Sequence, residues 1–309
     1  MKPKVIVIVG ATATGKSHCG LELAKILKTD IISGDSMLVF KGMDITTAKP
    51  SLVELESVKH HLVDILDPSD SFNVVNFKNK AEIIIEELNK IGKIPILVGG
   101  TGLYVKALLE NYSFSDVSEV PPLRKELEVY LKENGEKLLH DKLEKLDPIT
   151  AARLHANDSR RVIRAIETAM NGERISQIKS NESPFDFIVF GLNMQRKTLY
   201  ERINKRVDYM VKNGAFEETK KFIDSGVSID CQSMQSIGYR QLSEFYSGKY
   251  TKEEAINKLK QATRNFAKRQ LTWYKKMPYI NWIDVEKYEN YEKIVGIMLD
   301  NVVKKYELE

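Results

Sequence analysis

Residues 4–17 read KVIVIVGATATGKS, and this stretch decides the fold class. Residues 4–9 are a mostly β-branched apolar run, which predicts a buried strand of a parallel sheet. The next residues have two glycines separated by four others and followed by a lysine and a serine, the pattern of a phosphate-binding P-loop before a helix. Backbone N–H groups and the positive helix N-terminus surround an anion there, and the serine hydroxyl can ligate Mg²⁺. The predicted di- or triphosphate site comprises Gly10, Ala11, Thr12, Ala13, Thr14, Gly15, Lys16 and Ser17.

Beyond this stretch, short apolar runs alternate with helical periodicity. Such alternation implies crossover connections and a parallel sheet covered on both faces. We therefore expect an α/β fold, with a P-loop NTPase-like parallel sheet core and C-terminal helices over residues 1–111 and 185–309, and a helical insertion domain over residues 112–184. The predicted strands cover residues 4–9, 30–33, 94–98 and 187–192, and the predicted helices cover residues 16–27, 76–91, 197–213, 216–224 and 252–276.

Composition and charge exclude several classes of protein. With 309 residues, 42% hydrophobic and 29% charged, the chain has the composition of a globular protein. No run approaches the ~18 apolar residues of a transmembrane helix, so we expect a cytoplasmic protein without a membrane partner. Residues 151–280 carry 24 Lys and Arg against 14 Asp and Glu. This excess of positive charge indicates either a polyanionic partner or a set of solvated amphipathic helices.

The third predicted strand is followed by Gly99-Gly100-Thr101 and not by an acid. P-loop phosphotransferases place an Mg²⁺-binding acid there. Asp35 follows the second strand at the same sheet edge, where parallel sheets bind ligands, but an Asx turn or a helix cap would equally account for it. Thr101 also has two interpretations: the glycines beside it admit a ligand, or it caps a tight turn.

Eight blocks of sequence together resemble the tRNA dimethylallyltransferases, and they follow the family's order over nearly the whole chain. They are GATATGKS (10–17), GDSMLVFKGMDITTAKP (34–50), HHLVDILDP (60–68), ILVGGTGLY (96–104), HANDSRRVIRAIE (155–167), YERINKRVDYM (200–210), SIGYRQL (236–242) and ATRNFAKRQLTWYK (262–275). One departure is Thr46, which stands where the family often has glycine, and for it we expect only an altered local turn.

The resemblance implies a reaction. The P-loop would hold the diphosphate of dimethylallyl diphosphate, with Mg²⁺ as cofactor, and the dimethylallyl group would pass to N6 of adenosine 37 in tRNAs that read codons starting with U. Because no phosphoryl group is transferred, the reaction needs no acid after the third strand. We expect the tRNA anticodon stem-loop as partner and a monomeric enzyme.

The resemblance also implies residue roles. Asp35 would be the base that takes the N6 proton, Thr101 would lie near the amine, and Arg206 would face the diphosphate. From its surroundings alone, Arg206 is also compatible with a surface arginine paired to an acid. The predicted tRNA contacts, drawn from the resemblance and from the basic region, are Asp35, Ser36, Met37, Leu38, Thr101, Arg124, Ser159, Arg160, Arg161, Val162, Arg164, Gly238, Tyr239, Arg240, Gln241, Arg264, Lys268 and Arg269.

Two other functions are compatible with a P-loop. A small-molecule kinase would share the fold, turn over ATP and use the basic C-terminal half as a lid. A non-catalytic RNA-binding NTP switch would bind RNA in a nucleotide-dependent way and leave Asp35 and Thr101 without a chemical role. The specific blocks around these two residues favour the transferase.

Overall fold

The computed structural model of the chain describes residues 1–112, 121–172 and 182–308. The strands of these residues form a six-stranded sheet in which every pairing is parallel, in the order β3-β2-β4-β1-β5-β6. The predicted α/β class with a parallel sheet is therefore confirmed. The strands are Lys4–Gly10 (β1), Ile31–Ser33 (β2), His60–His61 (β3), Ile96–Val98 (β4), Asp186–Asn193 (β5) and Ile280–Asp284 (β6).

Helices connect and cover these strands. None of the helices in the described ranges is long and apolar enough to cross a membrane. The helices are Lys16–Leu27 (α1), Leu52–Ser57 (α2), Val74–Lys90 (α3), Gly102–Leu109 (α4), Pro121–Leu146 (α5), Pro148–Ala151 (α6), Ser159–Met170 (α7), Arg196–Lys212 (α8), Ala215–Asp224 (α9), Tyr239–Tyr246 (α10), Lys252–Tyr274 (α11) and Tyr291–Tyr306 (α12).

The central strand β1 divides the core into two layers because successive side chains of a strand point to opposite faces. Val5, Val7 and Val9 belong to the cluster that also contains buried side chains of α3 and α4. Ile6 and Ile8 belong to the cluster that contains buried side chains of α1 and α12. All five side chains are fully buried. Helices thus cover both faces of the sheet.

Several elements of the sheet unit are not among the predicted ones, namely β3, β6 and the helices α2, α4, α10 and α12. Strand β3 has only two residues, too few for a periodic pattern. In β6 the first and fourth residues are buried and the second and third are exposed, so the strand lacks the strict alternation expected of a half-buried strand. Helix α12 has a buried face of Ile294, Val295, Met298, Val302 and Tyr306. That spacing is helical, but the predicted elements end before it.

The chain divides into two compact units, one of Met1–Leu109 with Ser183–Glu309 and one of Glu110–Glu182. The second unit has its own core, which α5, α6 and α7 supply. Helix α5 bends at Gly135, whose φ of 80° and ψ of 173° are not helical. The predicted insertion boundaries 112 and 184 stay a prediction, since residues 113–120 and 173–181 lie outside the described ranges.

Candidate active site

The register of the sheet brings three loops to one edge. Ile8 of β1 lies opposite Val98 of β4, and Val98 lies opposite Ser33 of β2. Because the three strands are parallel and adjacent, the segments that follow them leave the sheet side by side. These segments are the P-loop, the turn at Asp35 and the turn at Thr101, so the structure brings the three predicted features together.

The P-loop lies between β1 and α1, and its two glycines have backbone conformations that favour glycine. Gly10 has φ 147°, and a Cβ on it would lie 2.5 Å from the carbonyl oxygen of Leu192. Gly15 has φ 93°, and a Cβ there would lie 2.3 Å from the ring of Tyr291, the first residue of α12. The Tyr291 hydroxyl also donates a hydrogen bond to the carbonyl oxygen of Thr14, at 3.2 Å. The last helix thus packs on the loop near the start of the chain.

Lys16 is held over this loop. Its Nζ donates to the carbonyl oxygen of Ala11 at 2.7 Å, and the hydroxyl of Thr14 donates to the same oxygen at 2.8 Å. Burial and the nearby Arg206 guanidinium lower the pKa of Lys16 to about 7, and the Asp35 carboxylate opposes that shift. Burial also lowers the pKa of Arg206, again opposed by Asp35. Two cations and one carboxylate therefore share a poorly solvated site, which an anionic ligand would stabilise.

Arg206 belongs to helix α8 and lies next to the row of buried residues on that helix. Leu199, Ile203, Val207 and Met210 are buried, as their spacing predicts. Arg206 lies between two of these residues and lines a cavity with them, whereas Arg202, one turn earlier, is exposed and donates to the Tyr291 hydroxyl. Of the two arginines, Arg206 is the one that enters the site.

Hydrogen bonds join the turn that carries Asp35 to Thr101. The amide of Thr101 donates to the carbonyl oxygen of Gly34 at 3.2 Å, and the amide of Ser36 donates to Oγ1 of Thr101 at 3.2 Å. The amide of Met37 donates to Oδ1 of Asp35 at 2.7 Å, which is an Asx turn. The turn leaves the second carboxylate oxygen outside that bond. Asp35 thus makes a structural turn and also presents a carboxylate to the cavity.

A cavity of about 370 Å³ opens at this edge of the sheet. One part of its wall is polar and the other part is apolar. The polar and loop residues in the wall include Thr12, Lys16, Ser17, Asp35, Ser36, Thr101, Arg206 and Arg269. The apolar part includes Met37, Leu38, Ile203, Val207, Met210, Leu259 and Phe266.

Helix α11 contributes one residue to the site that the sequence patterns do not reveal, Gln270. Gln270 is only 5% exposed and bonds to both the P-loop and the turn after β4. The signal for it was an amide within the buried stripe of this helix, three residues after Ala267 and four before Tyr274. The glycines beside Thr101 admit this helix: a Cβ on Gly100 would lie 2.6 Å from Nε2 of Gln270, and one on Gly102 would lie 2.3 Å from Trp273. The close approach attributed to a ligand is therefore made in part by α11.

One residue of the sheet unit that is predicted to contact tRNA has a buried side chain, and its contact with tRNA stays a prediction. Tyr239 is predicted as an aromatic for a splayed base, but it is fully buried at the start of α10, and its hydroxyl donates to the carboxylate of Glu218. Burial and that carboxylate raise its pKa well above the usual value. The same carboxylate accepts the amides of Asp44, Ile45 and Thr46, so this pair of residues anchors a loop.

The neighbours of Tyr239 also have structural partners. The Gln241 side chain accepts the amide of Gly238 at 2.9 Å and so caps α10. Thr46 and Gly238 are in contact, since a Cβ on Gly238 would lie 2.8 Å from the Cβ of Thr46. Arg240 is exposed, with Nε 3.8 Å from Glu244. This segment therefore offers one exposed cation and no accessible tyrosine.

In the second unit, Val162 also has a buried side chain, and its contact with tRNA likewise stays a prediction. It is predicted to contact tRNA, but it is fully buried in the core of the unit, because it lies on the apolar face of α7. The Arg124 guanidinium makes two hydrogen bonds, of 3.0 and 2.9 Å, to the fully buried carboxylate of Glu167. Arg164 lies 3.6 Å from the same carboxylate. Arg124 and Arg164 thus neutralise a buried charge.

The remaining predicted tRNA contacts lie nearer the surface. Ser159 begins α7 and is half-buried, and Arg160 and Arg161 are exposed. Arg161 lies 3.2 Å from Asp158. On α11, Lys268 and Arg269 are exposed, while Arg264 donates to Oδ1 of Asn204 at 2.7 Å.

Known proteins resemble the chain over nearly its whole length. The sequence profile of the IPP transferase family matches residues 38–277. A tRNA dimethylallyltransferase of Halalkalibacterium halodurans is 45% identical over 302 residues, covering 96% of this chain and 96% of that protein. The crystal structure of a full-length tRNA isopentenylpyrophosphate transferase from Bacillus halodurans superposes with a TM-score of 0.75 at 43% identity, covering 99% of this chain and 97% of that one.

A eukaryotic dimethylallyltransferase whose structures capture it acting on tRNA superposes with a TM-score of 0.82 at 28% identity, covering 97% of this chain and 80% of that one. These similarities extend over both the P-loop side of the sheet and the segments that carry Asp35, Thr101 and Arg206. By its sequence, its fold and the residues at its sheet edge, the chain belongs to the IPP transferase family, the tRNA dimethylallyltransferases that its motifs indicated.

Proposed function

We propose that this protein transfers the dimethylallyl group of dimethylallyl diphosphate to N6 of adenosine 37 in tRNAs that read codons starting with U, releasing diphosphate. The observation that carries the proposal is the cavity that joins Lys16 and Arg206 to Asp35 and Thr101. The first pair suits a diphosphate and the second pair suits an amine that must lose a proton. A non-catalytic NTP switch would use the first pair only.

On the donor side, the P-loop amides, Lys16 and Arg206 bind the diphosphate. As the bond between C1 of the dimethylallyl group and the diphosphate oxygen breaks, negative charge increases on the leaving group. Cations and N–H groups that already point at this charge lower the barrier without further reorganisation. The apolar wall, which includes Ile203, Val207 and Phe266, accommodates the five-carbon chain and excludes water from the allylic carbon.

On the acceptor side, N6 of the adenine attacks the allylic carbon and forms the new C–N bond. Asp35 accepts the proton that N6 loses, as a general base placed within the same cavity. The oxygen of Thr101 accepts the Ser36 amide, so the hydroxyl keeps its own proton to donate to the adenine. The Asx turn at Met37 fixes the carboxylate so that this base has a defined direction.

Mg²⁺ fits the residues of this site. Ser17 is exposed, lines the cavity and offers one hydroxyl ligand. Within the described part of the chain, no group of three His, Cys, Asp or Glu side chains could hold a metal ion. Ser17 would therefore share the ion with diphosphate oxygens and water, which suits a cation that binds substrate phosphates and keeps several waters. When bound, the ion would supply positive charge opposite the leaving diphosphate.

The acceptor base must leave the stack of the anticodon loop to enter a cavity of this kind. Extruding a base costs a few kcal/mol, which contacts to the rest of the RNA must offset. Arg160 and Arg161 in one unit, and Lys268 and Arg269 in the other, are exposed cations available to phosphates. These residues support a tRNA stem-loop as the partner.

To test the proposal, the protein is incubated with Mg²⁺, radiolabelled dimethylallyl diphosphate and an unmodified anticodon stem-loop with adenosine at position 37, and the label in the RNA is measured. A parallel reaction contains labelled ATP, and a third contains a stem-loop with guanosine at position 37. We expect label in the adenosine RNA from the first donor only. Turnover of ATP without label in RNA would overturn the proposal in favour of a kinase, and nucleotide-dependent RNA binding without a product would favour a switch.

A further inference from the structure

The side chain of Gln270 joins the two halves of the candidate active site. Its Oε1 accepts the amide of Thr12 in the P-loop at 2.8 Å, and its Nε2 donates to the carbonyl oxygen of Gly100 at 2.8 Å. The three residues are far apart in sequence and belong to three separate elements. Thr12 lies on the loop that would hold the donor, and Gly100 immediately precedes Thr101 on the acceptor side.

The geometry makes this bridge rigid. Oε1 and Nε2 belong to one planar amide, so the two backbone groups that they bind are held at a fixed separation. Gln270 is only 5% exposed. Burial strengthens its two hydrogen bonds and raises the free-energy cost of breaking them. The bridge also fits closely, since a Cβ on Gly100 would lie 2.6 Å from Nε2.

The helix that carries this amide is itself fixed to the same edge of the sheet. The Tyr274 hydroxyl, one turn after Gln270, donates to the carbonyl oxygen of Gly99 at 3.3 Å. Trp273 packs where a Cβ on Gly102 would lie. Ala267 and Tyr274 are fully buried. Gln270 is therefore a short, anchored connection and not a mobile side chain that happens to touch two loops.

We propose that Gln270 is a positioning residue that sets the distance between the bound diphosphate donor and the attacking amine. This inference rests on the proposed function. Both of its polar atoms bind backbone, so it acts through the P-loop and the Thr101 turn. Alkyl transfer needs the nucleophile and the allylic carbon in line and close together, and a misplacement of about 1 Å can cost about 100-fold in rate.

The test is Gln270→Leu, which keeps much of the side-chain volume and removes both hydrogen bonds. We expect the single-turnover rate with both substrates saturating to fall about 100-fold, as for a loss of orientation, while the Kd values for stem-loop RNA and for donor change far less. Thermal unfolding of each variant separates this effect from a loss of folded protein.

The chain offers a matched control in Gln232. Its Oε1 accepts the amide of Phe72 at 2.9 Å and its Nε2 donates to the carbonyl oxygen of Phe72 at 2.7 Å, so it too bonds twice to backbone. It does not belong to the cavity wall that Gln270 lines. Gln232→Leu should lower the unfolding temperature and leave the single-turnover rate unchanged.

A second variant tests the same connection from the other side. Gly100→Ala would displace the Gln270 amide, so it should lower the same rate, and the double variant should be little worse than either single variant. Equal rates for Gln270→Leu and Gln232→Leu, or additive effects of Gly100→Ala and Gln270→Leu, would overturn the inference. If the unaltered protein did not prenylate RNA at all, the proposed function would fail instead.

Discussion

At the scale of single residues, Asp35 has two roles that can be separated. Asp35→Asn keeps an oxygen to accept the Met37 amide but cannot take a proton. Because a positioned general base contributes about 10²- to 10⁴-fold, we expect kcat to fall by that factor while the Kd for stem-loop RNA stays the same. Steady-state kinetics and RNA binding measured on the same protein check this.

Asp67→Asn is the control for this experiment, because Asp67 is a surface carboxylate that lies 3.4 Å from Lys41 and outside the cavity wall. Its kcat should equal that of the unaltered protein. Normal turnover by Asp35→Asn would remove Asp35 from the role of base and leave it only the turn.

Lys16 gives the site a pH dependence. With a pKa of about 7 in the free protein, the amine is protonated below that pH, and a bound diphosphate would raise its pKa because it stabilises the ammonium. The affinity for the donor is then highest below pH 7, where Lys16 is protonated in the free protein. Above pH 7 the affinity falls by up to about tenfold for each pH unit. Titrating a non-hydrolysable donor analogue from about pH 6 to about pH 9 measures this.

Two variants assign the effect to Lys16. Lys16→Arg keeps its charge over this range, so the loss of affinity above pH 7 should disappear. Arg206→Leu removes the cation that helps to lower the pKa of Lys16, so the loss should begin at a higher pH. An unchanged pH profile in Lys16→Arg would attribute the titration to the ligand and contradict the prediction.

At the scale of elements, α5 and α7 are joined through Glu167. Removing the bidentate partner in Arg124→Ala leaves this fully buried carboxylate poorly compensated, so we expect the second unit to lose about 3 kcal/mol of stability. Hydrogen exchange of the α7 amides in the full chain measures the loss. Arg161→Ala, whose side chain is 65% exposed, should leave that exchange unchanged and weaken RNA binding.

The opposite result would support the tRNA contact that is predicted for Arg124. If Arg124→Ala weakened RNA binding and left the exchange of α7 unchanged, its guanidinium would act on RNA. In that case Glu167→Gln should leave RNA binding unchanged, because it removes the buried negative charge and keeps the Arg124 guanidinium.

The elements also show how far sequence reasoning reaches. The strand, loop and helix around the P-loop follow from a strong local pattern, and the rule that parallel strands end at one edge correctly brings Asp35 and Thr101 beside them. The motifs do not reveal that the side chains of Val162 and Tyr239 are buried, because a motif gives neighbours in sequence, whereas burial depends on which face of a helix meets the core. The role of Gln270 could not be predicted, because its partners, Thr12 and Gly100, are far from it in sequence and meet it only in the folded protein.

At the scale of the whole molecule, positive charge should govern RNA affinity. Neutralising phosphates releases counterions, so affinity falls with salt in proportion to the number of phosphates bound. Reversing Arg160 and Arg161 to glutamate should weaken RNA binding and reduce the slope of log affinity against log salt by about 1 for each phosphate that is no longer neutralised. Filter binding at several salt concentrations measures the slope.

A matched pair of charges separates this effect from net charge alone. Lys220 and Lys293 each lie 2.6 Å from an acidic side chain near them in sequence. Changing both to glutamate alters the net charge of the protein by the same amount as changing Arg160 and Arg161. Their variants should keep the original slope. A slope that followed net charge in both pairs would assign RNA binding to the overall field and not to Arg160 and Arg161.

The contact between Tyr291 and the P-loop has a consequence for biosynthesis. Gly15 and Thr14 are synthesised well before Tyr291, whose ring and hydroxyl pack on them. Domains generally fold as units, and the unit that contains the P-loop also contains α12. The P-loop therefore gains the packing and the hydrogen bond of Tyr291 only after α12 has been synthesised.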